Sequence, residues 1–308
     1  MSTAGKGRLV ALAAVAVGAT VALAGCASGD PLDEGSGGES AGGEAIVIGS
    51  QDYYSNEIIA EIYAQALEAN DYEVEREFRI GQREVYLPEL EAGEIDLFPE
   101  YTGNLLQFWE PETEARTSDD VYAALEAAVP EGLRVLDQSE ATDQDSYNVT
   151  KAFSDEFGVT SLDDLAGVTE PITLGGNAEL ETRPYGPAGL EETYGVKVGF
   201  TAIEDSGGAL TVKALVDDQV QMVNIYSADP NIAANDLVTL EDPKGLFLAS
   251  NVVPLASEKV TDEIAEIINA VSAAMTPADL VAMNDRSVNG QESADDIAAD
   301  WLAEQDLF

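Results

Sequence analysis

The 308-residue chain carries 14 Lys+Arg against 59 Asp+Glu, a formal net charge of −45, with one Cys and no His. The lack of His removes Ser-His-Asp and Cys-His catalysis and imidazole metal ligands. A single Cys allows neither an intramolecular disulfide nor a zinc or iron–sulfur cluster, and so acidic a chain excludes a general nucleic-acid binder. At 45% hydrophobic residues there is ample material for a core, and no cofactor is expected. The acidity suits work in high salt, where carboxylates stay hydrated and their repulsion is screened. Raising salt from low to molar is therefore expected to raise the melting temperature; a melting curve that moves down would contradict the high-salt reading.

In chain order, Lys6 and Arg8 open a short basic stretch, and Leu9 to Ala24 is an uncharged run of Ala, Val, Leu, Gly and Thr. The run is weaker and shorter than the roughly 20 strongly apolar residues of a membrane span and reads as an export signal over residues 1–25. Leu23-Ala24-Gly25-Cys26 resembles the lipobox of bacterial lipoproteins, which implies that Cys26 becomes the acylated first residue of the mature chain. Residues 26–44 are dominated by Gly, Ser, Asp and Glu, the composition of a flexible tether. A lipid anchor and a tether would hold the folded part outside the cytoplasmic membrane, close to its outer face.

From Ala45 onward about 260 residues remain, more than one compact core usually holds, so two lobes are expected. Ala45–Gly49 is a short apolar run suited to a buried parallel strand. A helix follows from Ser55, with Ile58, Ile59, Ile62, Tyr63, Ala66 and Leu67 on one stripe and Glu57, Glu61 and Glu68 on other faces. Val74–Ile80 alternates as a strand, Val85–Leu90 is a short helix containing Pro88, and Ile95–Phe98 is another apolar run. That alternation predicts a mostly parallel sheet. The theme repeats with strands at Ile172–Leu174, Val198–Ile203 and Val220–Ile225, and helices at Pro187–Tyr194 and Ala209–Val216. The C-terminal part is helical: Val260–Met275, a start at Pro277, and Ala294–Leu302 with Trp301 as a packing anchor.

Two stretches carry more than pattern, IVIGSQDYYSNEIIAEIYAQALEANDYEV (Ile46–Val74) and LPELEAGEIDLFPEYTGNLL (Leu87–Leu106). With DSYNVTKAF (Asp145–Phe153), ETRPYGPAGLEETYGV (Glu181–Val196), ALTVKALVDDQVQMVNIYSADPNI (Ala209–Ile232) and SNVVPL (Ser250–Leu255), the chain is similar to the substrate-binding component of ABC importers for glycine betaine, choline, carnitine and related osmoprotectants. The resemblance covers nearly all of residues 45–308. It implies a type II periplasmic-binding-protein fold, two α/β lobes joined by two crossing strands with the ligand cleft between them. Residues 45–147 and 252–308 would form the first lobe and 148–251 the second. It also implies an ABC permease and its ATPase as partners, a monomer, and no catalysis.

A quaternary ammonium donates no hydrogen bond, so shape and aromatic faces must hold it, at roughly 0.5–2 kcal/mol per ring. The resemblance assigns that role to Tyr101 in PEYTG, Tyr147 after Asp145, and Tyr226 in YSAD. Taken singly, each Tyr reads as well as a half-buried ring packed near a strand end. The backbone carbonyl of Asp145 is expected to face the ammonium. For a carboxylate at the other end of the solute, Arg183 and Gln51 match the donor positions. On its own, Arg183 is also a surface cation neutralising Glu179 and Glu181, and Gln51 an ordinary loop amide. Two positions depart from the family pattern. Ser250 stands where a fourth Tyr is usual, and Asn104 stands where Thr or Asp is common, which leaves betaine and choline both open.

Other constellations are weak. Asp143-Gln144-Asp145 begins like a calcium loop but lacks the Gly and Glu that complete one. No phosphate-cradling or nucleophile-elbow motif occurs, which argues against a surface hydrolase. A sensor of the same solute, or a binder of a different osmolyte such as ectoine, are the remaining alternatives.

Overall fold

The computed structural model describes residues 44–308; the export signal, Cys26 and all of the tether but Glu44 lie outside them. The first lobe begins as the sequence leads one to expect. Strand β1 (Ile46–Gly49) leads to helix α1 (Tyr54–Glu68), β2 (Val74–Glu77), α2 (Arg83–Ala92) and β3 (Leu97–Tyr101). β1 pairs in parallel with β2, Ile46 opposite Val74, and with β3, Ile48 opposite Leu97. The chain continues through α3 (Thr102–Trp109), α4 (Ser118–Ala128) and β4 (Leu133–Val135). Thr117 caps α4 by accepting from the Asp120 amide.

After β4 the chain crosses into a second sheet. This holds β5 (Asp145–Thr150), α5 (Lys151–Phe157), β6 (Thr173–Gly176), α6 (Pro187–Tyr194), β7 (Gly199–Ala202), α7 (Ala209–Val216), β8 (Met222–Tyr226), the single turn α8 (Asn231–Ala234) and β9 (Leu237–Thr239). It then returns as β10 (Val252–Ser257), followed by α9 (Asp262–Ala274), α10 (Pro277–Val288) and α11 (Ala294–Gln305). The strand orders are β2-β1-β3-β10-β4 and β7-β6-β8-β5-β9.

Neither sheet is wholly parallel. β10 runs antiparallel to β3 and β4, and β5 antiparallel to β8 and β9. These are the strands the chain enters directly after each crossing, with no helix to turn it round. The two crossing segments lie side by side: Val252 donates its amide to the Ala141 carbonyl at 2.9 Å, the Thr142 hydroxyl to the Ser250 carbonyl at 2.7 Å, and Thr142 bridges Asn251. Asp145–Tyr147, assigned to the first lobe from the sequence, are hydrogen-bonded into the second sheet through β5.

The apolar stripe of α1 is buried as its spacing predicts, with Ile58, Ile59 and Ile62 at 0% exposure. Burying a side chain of that size contributes roughly 1.5–3 kcal/mol. Glu61 departs from expectation. It is buried, because α9, α10 and α11 cover the outer side of α1, and its carboxylate meets Arg76 of β2 at 2.9 Å. The three C-terminal helices add Ile268, Leu280, Ile297 and Trp301 to this core. Thr276, Pro277 and Asp279 form a capping box with proline in the first turn, which fixes the start of α10. No single helix among the described residues is long and apolar enough to cross a membrane.

Candidate ligand-binding site

In open α/β sheets the loops at the carboxyl ends of parallel strands form the binding crevice. Here the ends of β1, β3, β6 and β8 face one another between the lobes, together with the crossing residues Asp143 and Asp145. They line a narrow cavity of about 30 Å³.

One wall is aromatic. Tyr53, in the turn before α1, lies 4.8 Å from the Tyr226 ring, tilted by 39°, and its hydroxyl donates to that of Tyr101 at 2.5 Å. Tyr53 and Tyr101 are 5% and 3% exposed. Burial raises the pKa of Tyr53, Tyr101 and Tyr226 well above the ordinary phenol value, so all three stay neutral. Tyr185 also lines the cavity, its hydroxyl accepting from the Asn104 amide at 3.1 Å.

The lining also has polar members. Gln51 is 2% exposed, its backbone amide held by Asn56 at 2.8 Å, and its side-chain nitrogen has no partner among the described residues. The Asn224 side-chain nitrogen, in β8, is likewise unpaired. Both line the cavity. Two buried donors without acceptors are costly unless something fills them, and an oxygen-bearing solute supplies what they lack.

Two arginines also line the cavity, and both are engaged. Arg83 and the fully buried Glu100 form a two-pronged pair at 2.9 and 2.7 Å; Glu100 also accepts from the Tyr86 hydroxyl and the Tyr101 amide. This fixes the backbone that presents Tyr101. Arg183 reaches from the second lobe to Glu84 on α2, with both terminal nitrogens 3.0 Å from the carboxylate. Further contacts close the cleft: the Tyr54 hydroxyl donates to Asp229 at 2.7 Å, Ser206 to Asp52 at 3.1 Å, and the Asn104 amide to the Asp145 carboxylate.

Of the residues singled out from the sequence, the fold brings Gln51, Tyr101, Asn104, Asp145, Arg183 and Tyr226 to this one cavity. Tyr147 lies elsewhere. It is fully buried in the second-lobe core, edge-on to Phe247 at 5.0 Å, and its hydroxyl donates to the Tyr185 carbonyl. Ser250 faces the start of α3 instead of the cavity. Its hydroxyl accepts from the Gly103 amide at 3.1 Å and donates to the Asn104 side chain at 2.8 Å. Gly103 is needed there, since a Cβ would stand 2.7 Å from the Ala249 carbonyl oxygen.

Tyr53, Tyr185, Asn224 and Asp143 line the cavity without having been picked out in these roles. Tyr53 had a usable signal, an aromatic pair directly after a parallel strand and before a helix. Asp143 is 3% exposed, accepts from the Ala228 amide at 2.9 Å, and has its carboxyl pushed up to about 7 by burial.

The family profile described as the substrate binding domain of ABC-type glycine betaine transport systems matches residues 44–304. The chain is 24% identical to the glycine betaine-binding protein YehZ of Escherichia coli (strain K12), over 84% of this chain and 90% of that protein. A solved glycine betaine/carnitine/choline ABC transporter structure superposes with a TM-score of 0.68 at 18% identity, over 85% of this chain and 99% of that one. Lactococcal OpuAC, closed on glycine betaine, gives 0.60 at 14% identity, over 86% and 97%. These likenesses carry the fold, a two-lobed α/β periplasmic-binding-protein architecture.

Proposed function

The chain belongs to the substrate-binding family of ABC-type glycine betaine transport systems, and we propose that it captures a quaternary-ammonium compatible solute, glycine betaine first and choline or carnitine next, for delivery to a permease. It is a binding protein of an importer, not an enzyme, and such proteins work outside the cytoplasm. The observation that carries the ligand class is the mixed lining of the cavity. Rings of Tyr53, Tyr101 and Tyr226 meet in a cavity that is also lined by two buried carboxyls and by the unpaired amide donors of Gln51 and Asn224. That pairing suits a small molecule with a methylated cationic head and an oxygen-bearing tail. Tyr147 and Ser250 then act as supports, Tyr147 beneath Tyr185 and Ser250 behind Asn104. Acylation of Cys26 would keep the domain near its permease, to which the closed lobes present a joint surface.

Calorimetry with betaine, choline, carnitine, ectoine and proline betaine tests this. Glycine betaine or choline is expected to bind in the micromolar range or tighter. Tyr226→Ala is expected to cost at least about 1 kcal/mol, the loss of one ring against the cation. No binding of any onium solute would overturn the proposal. Arg183→Ala is expected to weaken betaine more than choline, which has no carboxylate; equal losses would remove Arg183 from that role.

A further inference from the structure

Asp143 is buried where the ring cluster meets the crossing segment, and it lines the same cavity as the unpaired amides of Gln51 and Asn224. Among the described residues no Lys or Arg pairs with it. The lead-in and first turn of α1 bring Tyr53, Tyr54 and Ser55 toward it, β3 brings Tyr101, β5 brings Asp145, and β8 with its following turn brings Tyr226, Asp229 and the Ala228 amide. The two cavity-lining guanidiniums are committed to Glu100 and Glu84.

We propose that Asp143 is a specificity-determining carboxyl which gives up its proton to solvent when an onium head enters the ring cluster, so that capture of the cation releases one proton. This rests on the onium reading given above. Burial is the main cause that holds the carboxyl's proton up to about pH 7; the Ala228 amide and Ser55 oppose it, and Asp229 and Asp145 add to it. A fixed positive charge a few ångströms away favours the ionised form and lowers that value. The proton bond at the Asp143 oxygen breaks, the proton passes to buffer, and the carboxylate left behind faces the ammonium. Affinity then rises with pH up to about 7 and levels off, since above that value Asp143 is already ionised before the solute arrives.

The test is titration calorimetry of the full chain with choline at pH 6 and pH 8.5, each in two buffers of different ionisation enthalpy. At pH 6 the heats are expected to differ between buffers by close to one proton per ligand, and choline to bind about tenfold more weakly than at pH 8.5. At pH 8.5 the buffer dependence should vanish. The uncharged isostere 3,3-dimethylbutanol should release no proton. Asp143→Asn, whose fold is checked by circular dichroism, is expected to bind choline no more tightly than the wild type does at pH 6, equally at both pH values and with buffer-independent heats.

Buffer-independent wild-type heats at pH 6 would overturn the proposal while leaving the onium reading intact. So would proton release that persists in Asp143→Asn, which would assign the proton to Asp145 or Asp229. No choline binding even at pH 8.5, with betaine and carnitine silent as well, would overturn the onium reading and this proposal with it.

Discussion

Glu100→Ala is expected to destabilise the folded chain by about 3–5 kcal/mol, the range for breaking one half of a buried ion pair. The carboxylate is fully buried, its partner guanidinium is 7% exposed, and both prongs are short. Removing it strands the Arg83 charge without its partner, and leaves the Tyr86 hydroxyl and Tyr101 amide without their acceptor. The loss should appear as a fall in the urea midpoint with an unchanged slope. Replacing both partners, as in Arg83→Met with Glu100→Gln, should recover part of it, because no isolated charge then remains. A loss below about 1 kcal/mol for Glu100→Ala would mean that water reaches the pair.

The second large effect runs the other way. A carboxyl titrates near 3.9 in an unfolded chain, whereas burial pushes Asp143 up to about 7 in the fold. Between those values the folded protein holds a proton that the unfolded chain has lost. Unfolding free energy therefore falls as pH rises through that window and stays low above it. Three pK units correspond to about 4 kcal/mol. Asp143→Asn is thus expected to match the wild type near pH 4 and exceed it by a few kcal/mol at pH 8, in urea titrations at the two pH values. Equal differences at both would mean that Asp143 is not held protonated. A residue that weakens the resting fold and serves only with solute present fits the general conflict between stability and function.

The sequence made the parallel half of each sheet readable, because Ile46–Gly49 and Met222–Tyr226 are short apolar runs between polar turns and α1 carries a clean stripe. β5 was not readable in the same way. DSYNVT holds few apolar residues, and it is buried because the crossing delivers it between β8 and β9. α3 depends on tertiary context too, since its first turn is held by Ser250, almost 150 residues away. At the site, residue type pointed to tyrosines but not to their direction. Tyr101 and Tyr226 end strands that open on the cleft, whereas Tyr147 lies two residue pairs deeper along β5 and turns into the second-lobe core under Phe247. The ring that joins Tyr101 and Tyr226 is Tyr53, from a turn with no periodicity to mark it.

The Glu84–Arg183 bridge has one guanidinium and two claimants. If a zwitterionic solute took Arg183 by its carboxylate as proposed, it would release Glu84, exchanging one charged partner for another across the seam. Choline carries no such group and would leave the bridge standing. The two kinds of cargo would then close the lobes behind different rims, one bearing a freed acidic side chain and the other not.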